Sequence, residues 1–151
     1  MRYDQVVCHL ASEIMSQLTL SGSCLCGSVQ YEVSGDDAKF YHCHCERCRK
    51  ASGTGHMSNI IVQTDAVRFT AGEPLLKRYD VPEAERFATV FCSNCGSLMP
   101  RLSPAAGIVV VPAGSLDHEP GIRPSARIFY DSRAGWSCEG SDLPCFETYP
   151  T

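Results

Sequence analysis

A chain of 151 residues, 44% of them apolar, has the material for one domain with a hydrophobic core and is not a disordered composition. Its net charge of −4, with no run of Lys or Arg, argues against a nucleic-acid footprint. The longest aliphatic run, residues 108–111, is too short to span a membrane, and the first 13 residues, carrying Asp4, His9 and Glu13, hold no apolar core of signal-peptide length.

Residues 1–17 stand apart as an N-terminal extension to a domain of residues 18–151. Val6, Val7, Leu10, Ile14 and Leu18 fall near one helical face, so a short helix is one expectation and a poorly ordered terminus the other. Met15 offers an alternative start of translation. From Leu18 the pattern becomes β. Leu18-Thr19-Leu20 leads into Cys24-Leu25-Cys26-Gly27, and Val29-Gln30-Tyr31-Glu32-Val33 alternates apolar and polar. The spacing predicts a hairpin with the cysteine knuckle at its tip. Ser34-Gly35-Asp36-Asp37 is a turn, after which Phe40 and Tyr41 lead into Cys43-His44-Cys45-Glu46-Arg47-Cys48. Residues 47–52 read as one helical turn ended at Gly53.

Strands are expected at 60–62, 67–69 and 75–79, the last started after Pro74. Residues 86–91 run into a second knuckle, Cys92-Ser93-Asn94-Cys95-Gly96, and residues 97–102 leave it. Residues 108–111 read as a fully buried strand, 112–124 as a Gly- and Pro-rich loop, and 126–130 as the last strand. Phe129, Tyr130 and Trp136 are assigned to the core, with a pocket wall as the alternative. Short strands broken by turns, with no repeat or long helix, indicate an all-β domain.

Ten cysteines are many for this length, and without an export signal they read as metal ligands in a reducing, cytoplasmic setting rather than as a disulfide framework. In an extended segment Cys43 and Cys45 share one face, and a tight turn brings Cys48 back toward them. Zinc takes four ligands in a tetrahedron; three protein ligands with one vacancy mark a catalytic site, and four mark a structural one. Cys24, Cys26, Cys92 and Cys95, each pair followed by a glycine that tolerates positive φ, make a closed all-thiolate site. Cys43, Cys45 and Cys48 make an open one. His42 and His44 face away from those thiols in an extended strand, though either, or His56 or His118 from a loop, could still close the site. Cys8, Cys138 and Cys145 read as buried or free thiols, Glu46 as an exposed carboxylate, and Asp117 as a strand-ending turn residue.

These motifs, in order, resemble the glutathione-dependent formaldehyde-activating enzyme family, which includes the domain of centromere protein V. The resemblance rests on Gly22-Ser23-Cys24-Leu25-Cys26-Gly27 with Val29 and Tyr31, on Cys43-His44-Cys45 with Cys48 and Arg49, and on Phe91-Cys92 with Cys95-Gly96. Ala113-Gly114-Ser115-Leu116-Asp117 and Trp136 with Asp142-Leu143-Pro144 also fit, so it covers about residues 18–148. It implies a curled, antiparallel β-sheet domain built around two zinc ions. By resemblance Cys24, Cys26, Cys92 and Cys95 hold structural zinc, and Cys43, Cys45 and Cys48 hold catalytic, labile zinc. The implied activity is that of a carbon–sulfur lyase or synthase joining glutathione, the co-substrate, to formaldehyde or another aldehyde.

Arg47, Arg49 and Lys50 flank the open site and are the candidate contacts for glutathione carboxylates, against the plainer reading of a solvated basic turn. The competing function is a non-catalytic, zinc-stabilised module that binds a protein or nucleic-acid partner, with both zincs structural. A thiol redox role for Cys92 and Cys95 fits poorly, because its usual βαβ setting needs helices this chain lacks. The sequence assigns no oligomeric state, no physiological aldehyde and no membrane partner.

Overall fold

The computed structural model describes residues 18–137 and 143–150. The expected extension, its candidate helix, Cys8 and Cys138 lie outside these residues.

Strand β1 (Leu18–Ser23) pairs antiparallel with β2 (Gln30–Gly35), with Ser23 opposite Gln30, so the first knuckle does sit at the hairpin tip. Residues of β2 are alternately exposed and buried, as the sequence pattern requires. Strand β3 (Lys39–Cys43) then delivers the chain to helix α1 (Glu46–Ser52). The helix is seven residues long and survives at that length because both ends are satisfied. The Cys45 sulfur accepts from the Cys48 N–H at its start, and Gly53, at φ 70°, closes its end with an N–H bond to the Arg49 carbonyl. Glu46 in the first turn and Lys50 in the last pair across one turn at 2.9 Å, in the sense the helix dipole favours.

Strand β4 (Met57–Gln63) pairs antiparallel with β3, and β5 (Val67–Ala71) returns to β2. Strand β6 (Leu76–Asp80) pairs with β7 (Ala88–Cys92), which ends on the second knuckle. Strands β8 (Arg101–Ser103) and β9 (Ile108–Pro112) extend the β3–β4 sheet, and β10 (Ala126–Ile128) joins its other edge. The result is a three-stranded sheet β1-β2-β5, a five-stranded sheet β10-β3-β4-β9-β8 and a two-stranded sheet β6-β7. The expected all-β, antiparallel architecture is observed, with one short helix and one parallel pairing, β10 with β3.

Side chains of the three sheets meet in one core that includes Val33, Ile60, Val90 and Val111, with Tyr31 and Met99 almost fully buried. Directly opposed residues on neighbouring strands share a sheet face. Phe40, Ile60 and Val111 are opposed in register and point into this core. His42 and Ser58 continue the same face beyond it, whereas Cys43 and Met57 occupy the other face.

The core assignment of two aromatics is corrected. Phe129 is 65% exposed and Trp136 70% exposed. Strand β10 is a three-residue edge strand with no further strand outside it among the described residues, and Phe129 takes a left-handed conformation, φ 53°, directly after it. The chain is thereby turned off the sheet before either ring can be covered.

Candidate metal centres

The two knuckles are of different length, one residue separating Cys24 from Cys26 and two separating Cys92 from Cys95, but each closes on a glycine. Gly27, at φ 74°, donates its N–H to the Cys24 carbonyl at 2.9 Å, and Gly96, at φ 76°, donates to the Cys92 carbonyl at 2.8 Å. A side chain in that left-handed region is strained, which is why each cysteine pair is followed by glycine. The Leu25 N–H bonds the Ser97 hydroxyl at 3.0 Å and stitches one knuckle to the other. The Val29 N–H points at the Cys24 sulfur at 3.3 Å.

This turn geometry brings the Sγ atoms of Cys24, Cys26, Cys92 and Cys95 within 4.8 Å of one another. The Cys24 and Cys26 sulfurs are 3.5 Å apart and those of Cys26 and Cys92 are 4.0 Å apart. A tetrahedral thiolate site with metal–sulfur bonds of about 2.3 Å has an S···S edge of about 3.8 Å, so these four thiols are a group that could hold a metal ion. The described cysteines form no disulfide. Cys24 and Cys92 are also members of the hydrophobic core, so this centre is continuous with the packing of the domain. The Cys95 thiol is lowered to about 5, first by its hydrogen bonds with the Ser97 side chain and backbone. Burial pushes Cys92 up. Cys24 also feels burial, but the Val29 N–H and the neighbouring thiols outweigh it and hold the group below its ordinary value. A cluster of this kind carries negative charge that a cation offsets.

On the face of the five-stranded sheet opposite Phe40 and Ile60, Cys43, Cys45 and Cys48 also converge, with Sγ atoms within 4.8 Å of one another. Cys43 ends β3, Cys45 caps α1 and Cys48 lies on the buried side of that helix. The Cys43 thiol falls to about 6, chiefly through its hydrogen bond with Cys48. Cys48 rises far above its ordinary value, because that same bond, burial and the charge of Cys43 all retain its proton. Among the described residues this group contains no fourth His, Cys, Asp or Glu ligand. The histidines that could have closed it do not: His42, His44 and His56 form a separate cluster, and His118 is exposed in the loop after β9.

Sequence reasoning missed the cation that faces this centre. Arg101 of β8 lies in register with Val110 and shares with Cys48, Met57 and Asn59 the wall of a small cavity of about 30 Å³. Burial and then the neighbouring Arg78 lower the Arg101 guanidinium, whose Nη1 donates to the Arg86 carbonyl at 3.2 Å. Arg101 is 53 positions from Cys48 in sequence, and only the sheet register brings them together. Asn59 is also buried there, with its Oδ1 unpartnered among the described residues.

The basic residues beside the motif are placed differently from one another. Arg47 is exposed, Arg49 is half-buried with its Nε donating to the His44 carbonyl at 3.3 Å, and Lys50 is held by Glu46. Glu46 is exposed, as expected, and the Lys50 hydrogen bond keeps its carboxyl below the usual range. Asp117 accepts from the Ser23 hydroxyl at 2.6 Å and donates its N–H to the Ser21 carbonyl, a tie across the edge of β1. Cys145 is exposed and belongs to neither thiol group. An open cavity of about 770 Å³ lies between the knuckles, the end of α1 and the turn after β9. Its Met57, Leu98 and Pro112 also wall the small cavity against Cys48.

A family model described as glutathione-dependent formaldehyde-activating enzyme matches residues 19–132. An uncharacterized lyase of Schizosaccharomyces pombe is 31% identical over 78 residues, which are 52% of this chain and 53% of that protein. The match thus spans about half the length of that curated relative. A crystal structure of a Rhodobacter sphaeroides protein has the same fold, with a TM-score of 0.55 and 21% identity, covering 72% of this chain and 99% of the other.

Proposed function

This chain belongs to the glutathione-dependent formaldehyde-activating enzyme family, and we propose that it is a zinc-dependent carbon–sulfur lyase or synthase acting on glutathione–aldehyde adducts. An enzymatic role of this general type is supported by the family and by the lyase among its relatives. The observation that carries the finer reading is the three-thiol group of Cys43, Cys45 and Cys48, which has no fourth protein ligand among the described residues. Structural zinc sites are closed by four ligands, and catalytic ones keep a position for exchange.

On this reading Cys24, Cys26, Cys92 and Cys95 hold the structural ion, and Cys43, Cys45 and Cys48 hold the labile one. When bound at the second site, zinc favours the thiolate form of a sulfur ligand and polarises a carbonyl oxygen. In the synthase direction the glutathione sulfur forms a bond to the aldehyde carbon, the carbonyl π pair moves to oxygen, and the thiol proton ends on that oxygen. The lyase direction is the reverse, and neither needs an oxidant. Arg101 offsets negative charge at the thiol group from one side. Arg47, Arg49 and Lys50, on and beside α1, receive the carboxylates of glutathione, Lys50 exchanging Glu46 for the ligand. The 770 Å³ cavity, which shares a wall with the Cys48 pocket, holds the peptide portion.

The test is the visible absorption of cobalt-substituted protein titrated with glutathione. A saturable change that is absent in Cys48→Ala is expected. An unchanged spectrum at saturating glutathione would overturn the lyase reading and leave a module with two structural ions.

A further inference from the structure

Beneath the edge of β3, on the sheet face opposite the three thiols, lies a pocket that the proposed chemistry does not use. His42 projects there by strand alternation, and His44, the residue after the end of β3, lines the same pocket. His56, from the segment between α1 and β4, stacks on His42 with ring centroids 4.1 Å apart and planes 22° apart, and its ring lies 5.2 Å from that of His44. Tyr130 packs edge-on to His44 at 5.3 Å. Arg127 and Arg133 border the same cavity, which measures about 120 Å³ and thus exceeds the space one water needs.

The decisive side chain is His44. It is 5% exposed, it lines the cavity, and neither imidazole nitrogen has a hydrogen-bond partner among the described residues. A buried polar group without a partner forfeits the hydrogen bonds it had in water, so the arrangement is favoured when something in the cavity bonds it. The lining identifies the sign of that ligand. It presents three imidazoles and, at its border, the exposed Arg133 guanidinium. A metal cation is disfavoured by the arginines, and the three histidines do not gather their nitrogens as the thiol groups gather their sulfurs. Even neutral, each imidazole presents one N–H, and a guanidinium presents a planar fork that matches an oxyanion. Arg133 is steered toward the site by lying 4.4 Å over the Tyr130 ring and donating to the Tyr130 carbonyl at 3.3 Å.

We propose that the pocket formed by His42, His44, His56 and Arg133 binds a small oxyanion, a carboxylate or phosphate group on a small molecule. His56 lines both this pocket and the 770 Å³ cavity, so one elongated ligand could keep its anionic end here and its remainder there. The proposal does not depend on the lyase reading, because it rests on donors that point away from the thiols.

The experiment is nitrogen-15 NMR of the histidine side chains in the full-length, metal-loaded protein, titrated separately with inorganic phosphate and acetate. Saturable shifts of the His42, His44 and His56 resonances are expected. Affinity should fall about tenfold or more in Arg133→Gln, the loss of one charge-assisted hydrogen bond, and stay at the wild-type value in Arg123→Gln, outside the pocket. Arg133 is exposed, so its replacement leaves the fold intact, which circular dichroism verifies. Absence of a saturable shift with both probes, or equal affinity in Arg133→Gln, would overturn the proposal. With binding established, displacement of phosphate by glutathione would assign the anionic group to the thiol substrate, and simultaneous binding would assign it to a separate molecule. A silent cobalt spectrum would defeat the lyase reading without touching this one.

Discussion

Removing one half of each thiol group separates the two centres by the length of chain each closes. Cys26 and Cys92 are 66 residues apart, and a cross-link between them removes about 4 kcal/mol of chain entropy from the unfolded state. Cys43 and Cys48 close only five residues, for which the same relation yields about 2 kcal/mol. Burial acts in the same direction, since Cys92 is 0% exposed and belongs to the main core, which contains none of the three β3–α1 thiols. In a domain of this size each kcal/mol shifts Tm by about 2–4 °C. The double substitution Cys92→Ala with Cys95→Ala is therefore expected to lower Tm by about 8–16 °C or to abolish cooperative unfolding. Cys45→Ala with Cys48→Ala should lower it by about 4–8 °C. The assay is thermal unfolding by far-ultraviolet circular dichroism beside metal content per chain. Each variant should retain one metal ion, and only the second should remain folded at the temperatures where wild type functions. Equal losses of Tm, or a larger loss from the β3–α1 pair, would refute the division into one structural and one labile centre.

Three further outcomes follow from single positions. In Gly22→Ala the new methyl would fall inside the Tyr31 ring, which is 1% exposed and cannot withdraw, so a loss of about 1–3 kcal/mol is expected in urea unfolding. Tyr31 itself is pushed up to about 12 from 10, first by burial. Its folded form therefore keeps the proton where the unfolded form loses it, so its contribution is complete below pH 10 and disappears as pH rises to 12. At pH 11 wild type should have lost about 1.4 kcal/mol more than Tyr31→Phe, relative to pH 7, where the variant lacks only the hydroxyl contact with Ser115. Arg101→Gln should leave Tm within a few degrees of wild type while weakening glutathione binding to the cobalt form several-fold; unchanged affinity would show that Arg101 does not offset charge at Cys48.

Much of the fold was legible because its signals are local. Alternation at 29–33 and the glycine after each cysteine pair are enough to specify a hairpin with a metal knuckle at its tip, and the structure has that arrangement. Gly53 stops α1 for the same kind of reason, a backbone conformation glycine adopts freely. Phe129 and Trp136 were misread because hydrophobicity reports what a side chain prefers, whereas exposure depends on whether another strand lies beyond β10.

The membership of the two thiol groups was legible in the sequence: three cysteines around one turn converge, and two glycine-closed cysteine knuckles are brought together. Alternation along β3 also placed His42 away from those thiols, and His44 lines the same pocket as His42. Only tertiary structure decided what each face then meets. Strand β8 brings Arg101 to the wall of the cavity that Cys48 also lines, and the chain after β10 brings Tyr130 edge-on to His44 and Arg133 to the border of the same pocket. Neither meeting has a local signature, because sheet register and an edge turn join residues far apart along the chain. The charge around both sites is set by those long-range neighbours rather than by the basic residues next to the motif.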